Sequence, residues 1–570
     1  MTQQNLYCKL TKKRSTAITR SAKTVKTKIR ERINRPVEDF SNYITKNPSF
    51  FLVLLLIFVL GVSFRFYVCL RFGTLQRDEA QHSLGGIFFS RLLLNNIGNL
   101  GSYIADYPTT LGSIWFYPFG YSLLAAFEYP IFGYTEFAAR LPSLIFSLLL
   151  IHATTSIAKE IEPGKRISLI AAFLVATSSI IVIVGSAAMV DIPVTTLMTY
   201  SILFWIKGVK SGSKSAFLKA GALGGIAGLM KPTGIFVLLF MIAFEILRFL
   251  ISRNTAVFSK GFWKGIGCGF LIFTTWWGSA VIVNFTVNGW VGNEALKGIT
   301  YWFDFTGIFE KYIPPWYSPP WYKIEAWSFY PNQLISMMGI LPFIFAFVGV
   351  GARLKKLKMV DLSLILFAIG VYVLQTFASN KNPRYIIPCL PILYAYSSVG
   401  VNSAYADIMG NDLLKATRIG TIKKCTAFAL VMLVLAGGFI PMLSAVQANY
   451  IQGMLFGDTI PIRESLQIVG NDGNAGIIMP DSEENSFNVQ TLTFYIASID
   501  HDRKYGCCSP PSDPQQILSL QIGEKEAKYV LVYNSNSSIS KFVQSTPEHF
   551  AFLGQVQNVY GTILVYRVQK

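Results

Sequence analysis

Apolar residues in this chain come in blocks of about 20, the length an α-helix needs to cross the hydrocarbon core of a bilayer, and that spacing restricts the possible folds more than any other feature. The first block runs from Phe50 to Cys69. Others follow at roughly 141–158, 167–187, 191–207, 217–230, 233–251, 265–284, 332–351, 361–378, 386–403 and 425–446. Of the 570 residues 52% are hydrophobic and only 14% charged, with a mean hydropathy of +0.43, a composition that excludes an ordinary soluble domain. The spacing predicts a polytopic α-helical membrane protein with about 11 transmembrane helices.

The formal net charge of +19 would suit a nucleic-acid binder, but the placement of the Lys and Arg residues argues against that partner. They cluster in short segments between the apolar blocks, as cytoplasmic loops do. Residues 1–48 form a basic N-terminal arm, with Lys9, Lys12, Arg14, Arg20, Lys23, Arg30 and Arg35 among few acids, and it is expected in the cytoplasm against anionic headgroups. A cleaved signal peptide is not expected, because the apolar run begins far from Met1 and no small-residue cleavage site comes after it. If the loops Lys159 to Arg166, Lys207 to Lys219, Arg248 to Lys264, Arg353 to Lys358 and Lys415 to Lys424 are all cytoplasmic, the spans pair off and the chain after Val446 lies outside. The expected protein is therefore multi-pass in the cell membrane, with an exterior C-terminal domain. The block 112–132 has no place in that alternation, and it reads as an amphipathic or re-entrant helix in the outer leaflet, with Trp115, Tyr117 and Tyr121 suited to the interface.

The first outer loop then carries Arg77-Asp78-Glu79-Ala80-Gln81-His82, with two adjacent carboxylates just beyond a span. Other ionisable groups gather at the outer ends of spans: Arg140 in Phe137-Ala138-Ala139-Arg140-Leu141-Pro142, Asp191 in Val190-Asp191-Ile192-Pro193, Lys231 before Pro232, and Arg384 in Pro383-Arg384-Tyr385. Each alone suits a helix-end anchor. Charges inside or beside spans are costly enough that a gathering of them points to a site, and the neighbouring prolines let backbone line a cavity. Acids on one wall suit deprotonating a hydroxyl or amine; cations on another suit a phosphate leaving group.

The segment from Asn284 to Asn332 is rich in Trp, Tyr and Phe and contains two Pro-Pro pairs; it reads either as an interfacial aromatic belt or as a platform for a sugar or lipid chain. Seven cysteines are scattered and only four His are present, so no metal or haem spacing is recognisable and the sequence itself requires no cofactor. The chain divides into the basic arm 1–48, a transmembrane module 49–446 and an exterior domain 447–570. In the last, 475–479, 529–533 and 562–566 read as strands and 515–521 and 539–544 as short helices, a small α/β domain. Packing on the membrane module is its preferred role, with acceptor recognition the other. Asn284-Phe285-Thr286 and Asn536-Ser537-Ser538 match the glycosylation sequon, a triplet common by chance.

Taken in order, Asp78-Glu79, Tyr117-Pro118-Phe119-Gly120-Tyr121, the Arg140 and Asp191 motifs, Lys231-Pro232, and Pro383-Arg384-Tyr385 with Pro388 and Pro391 resemble the motifs of GT-C fold glycosyltransferases, in the branch of the protein O-mannosyltransferases and lipid A aminoarabinose transferases. The resemblance covers roughly residues 50 to 400. It implies transfer of a sugar from a polyprenyl- or dolichyl-phosphate carrier to a glycan, lipid or protein acceptor on the non-cytoplasmic face, with inversion. By position it makes Asp78 the catalytic acid or base and Glu79 its neighbour in the catalytic pair, orienting acceptor or substrate. Asp191 becomes a second acidic wall, Arg140, Lys231 and Arg384 face the phosphate, Tyr385 lies near it, and Tyr117 belongs to the substrate-binding set. Aminoarabinose transferases carry Glu-Lys where this chain has Phe116-Tyr117, which leaves open both a divalent metal at that Glu and the identity of the sugar. The His-Pro-Pro variant and luminal repeat domains of the mannosyltransferases are also missing. The competing class is a multi-span transporter of a polar or anionic solute, since intramembrane Asp and Lys beside prolines also mark solute pathways.

Overall fold

The computed structural model describes residues 47–96, 98, 117–253, 259–286, 319, 321–378, 381–410, 418–452, 460–471, 476–482, 487–499, 505–522, 525–533, 536–558 and 561–569. The basic arm, residues 112–116 and most of the aromatic segment 284–332 therefore lie outside the described residues. The chain divides into two compact units, Met1–Ile57 and Phe58–Lys570. In the first, the described residues are the opening turns of helix α1 (Pro48–Arg71), with Phe51 N–H donating to Asn47 O at 3.1 Å. The second unit holds the rest of α1 and every later element.

After α1 come α2 (Arg77–Arg91), α3 (Gly120–Phe132), α4 (Glu136–Ile161), α5 (Lys165–Ala176), α6 (Ser179–Gly185), α7 (Asp191–Ser211), α8 (Lys214–Met230), α9 (Phe236–Ser252) and α10 (Lys260–Thr286). The helical series continues with α11 (Ile324–Met338), α12 (Ile340–Leu354), α13 (Met359–Phe377), α14 (Leu390–Met409) and α15 (Arg418–Gln452). Every block forecast as a span is helical. Among the described residues 7 helices are long and apolar enough to cross a membrane, or 9 if each of two bent pairs is one span, and the protein is a multi-span membrane protein. The remaining two forecast spans are α8 and α10. They cross at glycines: a Cβ on Gly221 would lie 1.7 Å from Gly265 O, and one on Gly225 would lie 2.3 Å from Gly269 O, so only backbone fits between them.

Two blocks forecast as straight spans are bent. The helices α5 and α6 meet at 55° and α11 and α12 at 111°. The second bend sits at Gly339, whose φ of +81° suits a residue without a side chain and whose Cβ would lie 2.0 Å from Gly437 O. Helix α3 is the described part of the block read as interfacial. Its 13 residues reach about 20 Å, well short of a hydrocarbon core of about 30 Å. Phe127 and Ile131 are exposed on one side, while Tyr129 Oη donates to Ser83 O at 3.1 Å and Ser122 Oγ donates to His82 O at 3.0 Å, tying α3 to α2.

The C-terminal domain holds helices α16 (Ile462–Asn471), α17 (Val489–Ile499) and α18 (Ser538–Ser545) and six strands: β1 (Gly476–Pro480), β2 (Tyr505–Cys507), β3 (Gln521–Ile522), β4 (Lys525–Val532), β5 (Phe550–Asn558) and β6 (Gly561–Val568). The sheet order is β2-β1-β4-β6-β5, with β1 parallel to β2 and β4 and the β4-β6-β5 half antiparallel; β3 pairs β4. The three forecast strands are β1, β4 and β6; β5, α16 and α17 lacked a recognised pattern. Met479, Val530, Val532, Ile539, Val543 and Phe550 fill the core between sheet and helices. This domain packs against the start of α2. Thr491 Oγ1 donates to Leu75 O at 3.1 Å, Leu75 N–H donates to Tyr495 Oη at 3.4 Å, Ile460 N–H donates to Thr74 Oγ1 at 3.0 Å, and Tyr495 Oη donates to Glu136 Oε1 at 2.7 Å.

Candidate active site

The site is assembled where four helices begin or end. Asp78 and Glu79 occupy the first turn of α2, where the positive end of the helix dipole favours carboxylates. Asp191 opens α7 after the turn 186–190. Helix α8 ends at Met230, and Pro232 pushes Lys231 out of the helical region to φ −155° and ψ 137°. Arg384 lies in the 3₁₀ turn Pro383–Cys389, where Asn382 Oδ1 accepts from the Arg384 N–H at 3.1 Å.

These ends bring four charges into an alternating chain. Arg384 Nη2 lies 2.6 Å from Asp78 Oδ2, and its Nε lies 3.8 Å from Asp191 Oδ2; Lys231 Nζ donates to Asp191 Oδ1 at 2.8 Å. The Lys231 ammonium sits 4.5 Å from the centre of the Tyr385 ring, and the Arg384 guanidinium carbon sits 5.7 Å from it, a shared cation–π contact. Arg384 Nη1 also donates to Met189 Sδ at 3.3 Å, whereas its buried Nε–H has no hydrogen-bond partner among the described residues. Side-chain exposure grades from 34% at Asp78 through 21% at Arg384 to 12% at Lys231 and 7% at Asp191, so the chain is reached from the Asp78 end.

Burial by itself would raise the Asp78 carboxyl, but the Arg384 charge and hydrogen bond, with help from His82, hold it below the ordinary aspartate value of 3.8. His82 stands one turn after Asp78 on α2 and is 5% exposed. Burial pushes its imidazole down to about 4 against the pull of Asp78 and Asp191, so it is neutral at pH 7. Its ring lies 4.9 Å from that of Tyr117 and 5.7 Å from that of Tyr121, which makes it the link between the charge chain and the half-buried Tyr117.

Glu79 and Arg140 stand apart from this chain. Arg140 Nε donates to Glu79 Oε1 at 3.0 Å and Nη2 to Oε2 at 3.4 Å; the Gln76 and Ala188 N–H groups add bonds of 3.0 Å and 2.8 Å to the same carboxylate. Arg140 Nη1 and Nη2 donate further to Phe72 O and Gly73 O at 3.0 Å and 2.8 Å. Both side chains are almost wholly buried, at 1% and 2% exposure. With all three Arg140 nitrogens engaged inside the protein and its side chain buried, the expectation that it faces a phosphate gives way to a clamp on Glu79. Glu79 likewise has no lone pair left over for a substrate.

The sequence pattern did not identify His82, the Met189 sulfur or the Ala188 N–H. The i, i+4 spacing of Asp78 and His82 was the one readable signal among them. Among the described residues no three His, Cys, Asp or Glu side chains form a metal-ligand set.

The helical array and its C-terminal sheet domain define a GT-C fold membrane protein. Over 90% of this chain it is similar to crystal structures of ArnT from Cupriavidus metallidurans, covering 97% of that chain, with a TM-score of 0.60 and 13% identity in the apo state and 0.62 and 12% with undecaprenyl phosphate bound. The Archaeoglobus fulgidus oligosaccharyltransferase in the apo form is similar over 85% of this chain and 70% of that one, at TM-score 0.54 and 12% identity. Residues 117–278 match the family model described as dolichyl-phosphate-mannose-protein mannosyltransferase. A curated relative, the undecaprenyl phosphate-alpha-4-amino-4-deoxy-L-arabinose arabinosyl transferase of Edwardsiella ictaluri, is 26% identical over 268 residues; the match spans 45% of this chain and 45% of that relative. In fold the chain is similar to these GT-C proteins, and part of it matches the family model and the curated relative. The transporter alternative finds no support in these likenesses.

The two ion pairs are expected to differ in what they hold. Arg140→Met leaves a buried carboxylate without its cation and should cost about 3–5 kcal/mol, while Asp78→Asn, at a partly exposed pair, should cost less than about 1 kcal/mol. Thermal unfolding of the two variants in detergent micelles measures this, and equal losses would remove the distinction between clamp and site.

Proposed function

We propose that this protein is an integral membrane glycosyltransferase that moves a sugar from a polyprenyl- or dolichyl-phosphate carrier to an acceptor on the non-cytoplasmic face, with inversion at the anomeric carbon. The supporting observation is the charge chain Asp78, Arg384, Asp191 and Lys231, in which the buried Arg384 Nε–H lies 3.8 Å from Asp191 Oδ2 and has no hydrogen-bond partner among the described residues. A buried guanidinium N–H needs an acceptor, and an anionic phosphate oxygen makes the strongest kind of hydrogen bond to it. The undecaprenyl phosphate bound in the similar ArnT structure and the lipid phosphates named for the relative and the family model support the same carrier class.

In this reading Lys231 and Arg384 hold the carrier phosphate. They stabilise the charge that grows on it as the bond from the anomeric carbon to the phosphate oxygen breaks. Asp78 accepts the proton of the attacking hydroxyl or amine on the opposite side of the sugar. Asp191 keeps both cations aimed, Tyr385 supports them from below, and Tyr117 with His82 lines the flank of the sugar. Glu79 and Arg140 act indirectly, by fixing the first turn of α2 on which Asp78 stands.

The chain balances two carboxylates against two cations, so an arriving phosphate competes with Asp78 for Arg384. Carrier binding then releases the carboxylate, and loss of its cation partner raises its basicity at the moment a base is needed. The donor precedes the acceptor in this order of events.

These assignments carry three expected outcomes. Asp78→Asn should abolish transfer from a polyprenyl-phosphate-linked sugar in membranes yet bind undecaprenyl phosphate about fivefold more tightly, because Arg384 is no longer engaged. Retained transfer would remove the base assignment. Because Asp78 is held below 3.8 in the free protein, kcat/KM for the donor should stay level as pH falls from 7 towards that ordinary aspartate value; an acid limb near pH 6 would contradict the pairing with Arg384. For orientation, Ser509→Cys on the exposed edge of the C-terminal domain should react with a membrane-impermeant maleimide on intact cells above the wild-type background, and full protection would invert the topology.

A further inference from the structure

Arg65 lies within α1, has no exposed surface, and takes no part in the proposed sugar transfer. A guanidinium inside a span is unfavourable unless its charge and its donors are answered. Here the partners of its nitrogens are all neutral: Nε donates to Ser147 Oγ at 2.8 Å, Nη1 to Gly61 O at 3.0 Å and to Ala176 O at 2.9 Å, and Nη2 to Val175 O at 3.3 Å. Val175 and Ala176 are the last residues of α5, where helix carbonyls lack intrahelical donors and the negative end of the helix dipole gathers. Arg65 therefore supplies both donors and charge to the place where the span breaks and turns by 55° into α6.

The same residue also meets the far end of α6. Ser186 Oγ, one residue past that helix, has two acceptors in reach for its single proton, the main-chain Arg65 O at 3.0 Å and Val182 O within α6 at 2.7 Å. Ser147, which accepts from the Arg65 guanidinium, packs so closely on Gly185 that a Cβ there would lie 2.5 Å from the Ser147 Cβ. Helix α6 is only 7 residues long, and the turn after it delivers Ala188 N–H to Glu79, Met189 Sδ to Arg384 and Asp191 to Lys231. Tyr394 Oη, donating to Ser178 Oγ at 2.9 Å, and Ser179 Oγ, donating to Met337 O at 3.3 Å, hold the break from the other side.

We infer that Arg65 is a positioning residue for the carrier-phosphate site: its guanidinium fastens the entry of α6 directly and the exit through Ser147 against Gly185, and so sets the turn 186–190 and, through that turn, the place of Asp191 and of the Met189 sulfur beside Arg384. This rests on the reading of Lys231 and Arg384 as phosphate ligands. Arg65 acts from the membrane interior, as the fixed end of a short lever whose free end carries the acid between the two cations.

The test is a double-mutant cycle on the full-length protein in detergent, with undecaprenyl phosphate as the probe. Arg65→Gln should weaken its binding by roughly tenfold, and Asp191→Asn should have an effect at least roughly fivefold smaller in that background than in the wild type, since both changes reach the phosphate through one turn. Arg65→Lys, which keeps the charge but not the fork of donors, should fall between. Independent effects that multiply, or unchanged binding in Arg65→Gln, would overturn the inference. If Arg65→Gln does not fold, Ser147→Ala, which removes the acceptor of Arg65 Nε and keeps the Cβ against Gly185, takes its place in the cycle, and multiplying effects or unchanged binding there would overturn it equally. The underlying reading fails separately, if Lys231→Gln and Arg384→Gln leave undecaprenyl phosphate binding intact.

Discussion

The buried pair of Glu79 and Arg140 is the contact on which the rest of the site depends. One carboxylate receives the Arg140 guanidinium, the Gln76 N–H at the start of α2 and the Ala188 N–H of the turn before α7, while the same guanidinium caps the carbonyls of Phe72 and Gly73 beyond α1. Three separate stretches of chain meet there, 72–79, Arg140 and the turn at Ala188. Because each donor and lone pair is answered inside the protein, loosening any one stretch would leave buried polar groups unpaired, which is far more costly than the pair is favourable. Asp78, one residue before Glu79, inherits its position from that junction.

The charge chain built on it exploits interrupted helices. Asp191, Lys231 and Arg384 each stand at the first residue, the end or the opening turn of a helical segment with a proline one or two residues away. Broken helices let polar side chains converge without abandoning the hydrogen-bonded backbone that a membrane demands. Gly120 contributes to the same junction, since a Cβ there would lie 2.6 Å from Leu229 O, and its absence lets α3 approach the end of α8 just before Lys231. The result is a set of charges that balances two carboxylates against two cations and leaves one guanidinium N–H without a hydrogen bond among the described residues, a combination suited to the proposed exchange of a carboxylate partner for an anionic ligand.

The C-terminal domain reaches this arrangement through α2. Thr491 and Tyr495 of α17 bond to Leu75, just before the helix that carries Asp78, and Arg463 of α16 pairs with Glu136 at 3.4 Å. Tyr495 is buried, which pushes its phenol well above the ordinary value and keeps it a hydrogen-bond donor to Glu136 throughout the physiological range. Packing on the membrane module, the preferred role from composition, is thus realised at the element nearest the proposed base. Acceptor recognition is a separate role, and these contacts neither require nor oppose it.

How much of this was readable in the chain itself depends on the range of the forces involved. Helix hydrogen bonds run between residues four apart, so apolar blocks were enough to locate every helical span, and local strand patterns located β1, β4 and β6. Strand β5, with its exposed Phe552 and bulge near Gly554, carried no such alternation. The prolines and charges at helix ends marked Arg140, Asp191, Lys231 and Arg384, with Asp78 and Glu79, as one group, from which packing separates the Arg140–Glu79 pair. Which cation meets which acid was decided by tertiary packing: Arg140 reaches Glu79 across 61 residues of sequence, Arg384 reaches Asp78 across 306, and Arg65 reaches Ala176 across 111. Ion pairing depends on distances of a few ångströms between helices far apart in the chain, and those distances exist only once the helices have packed.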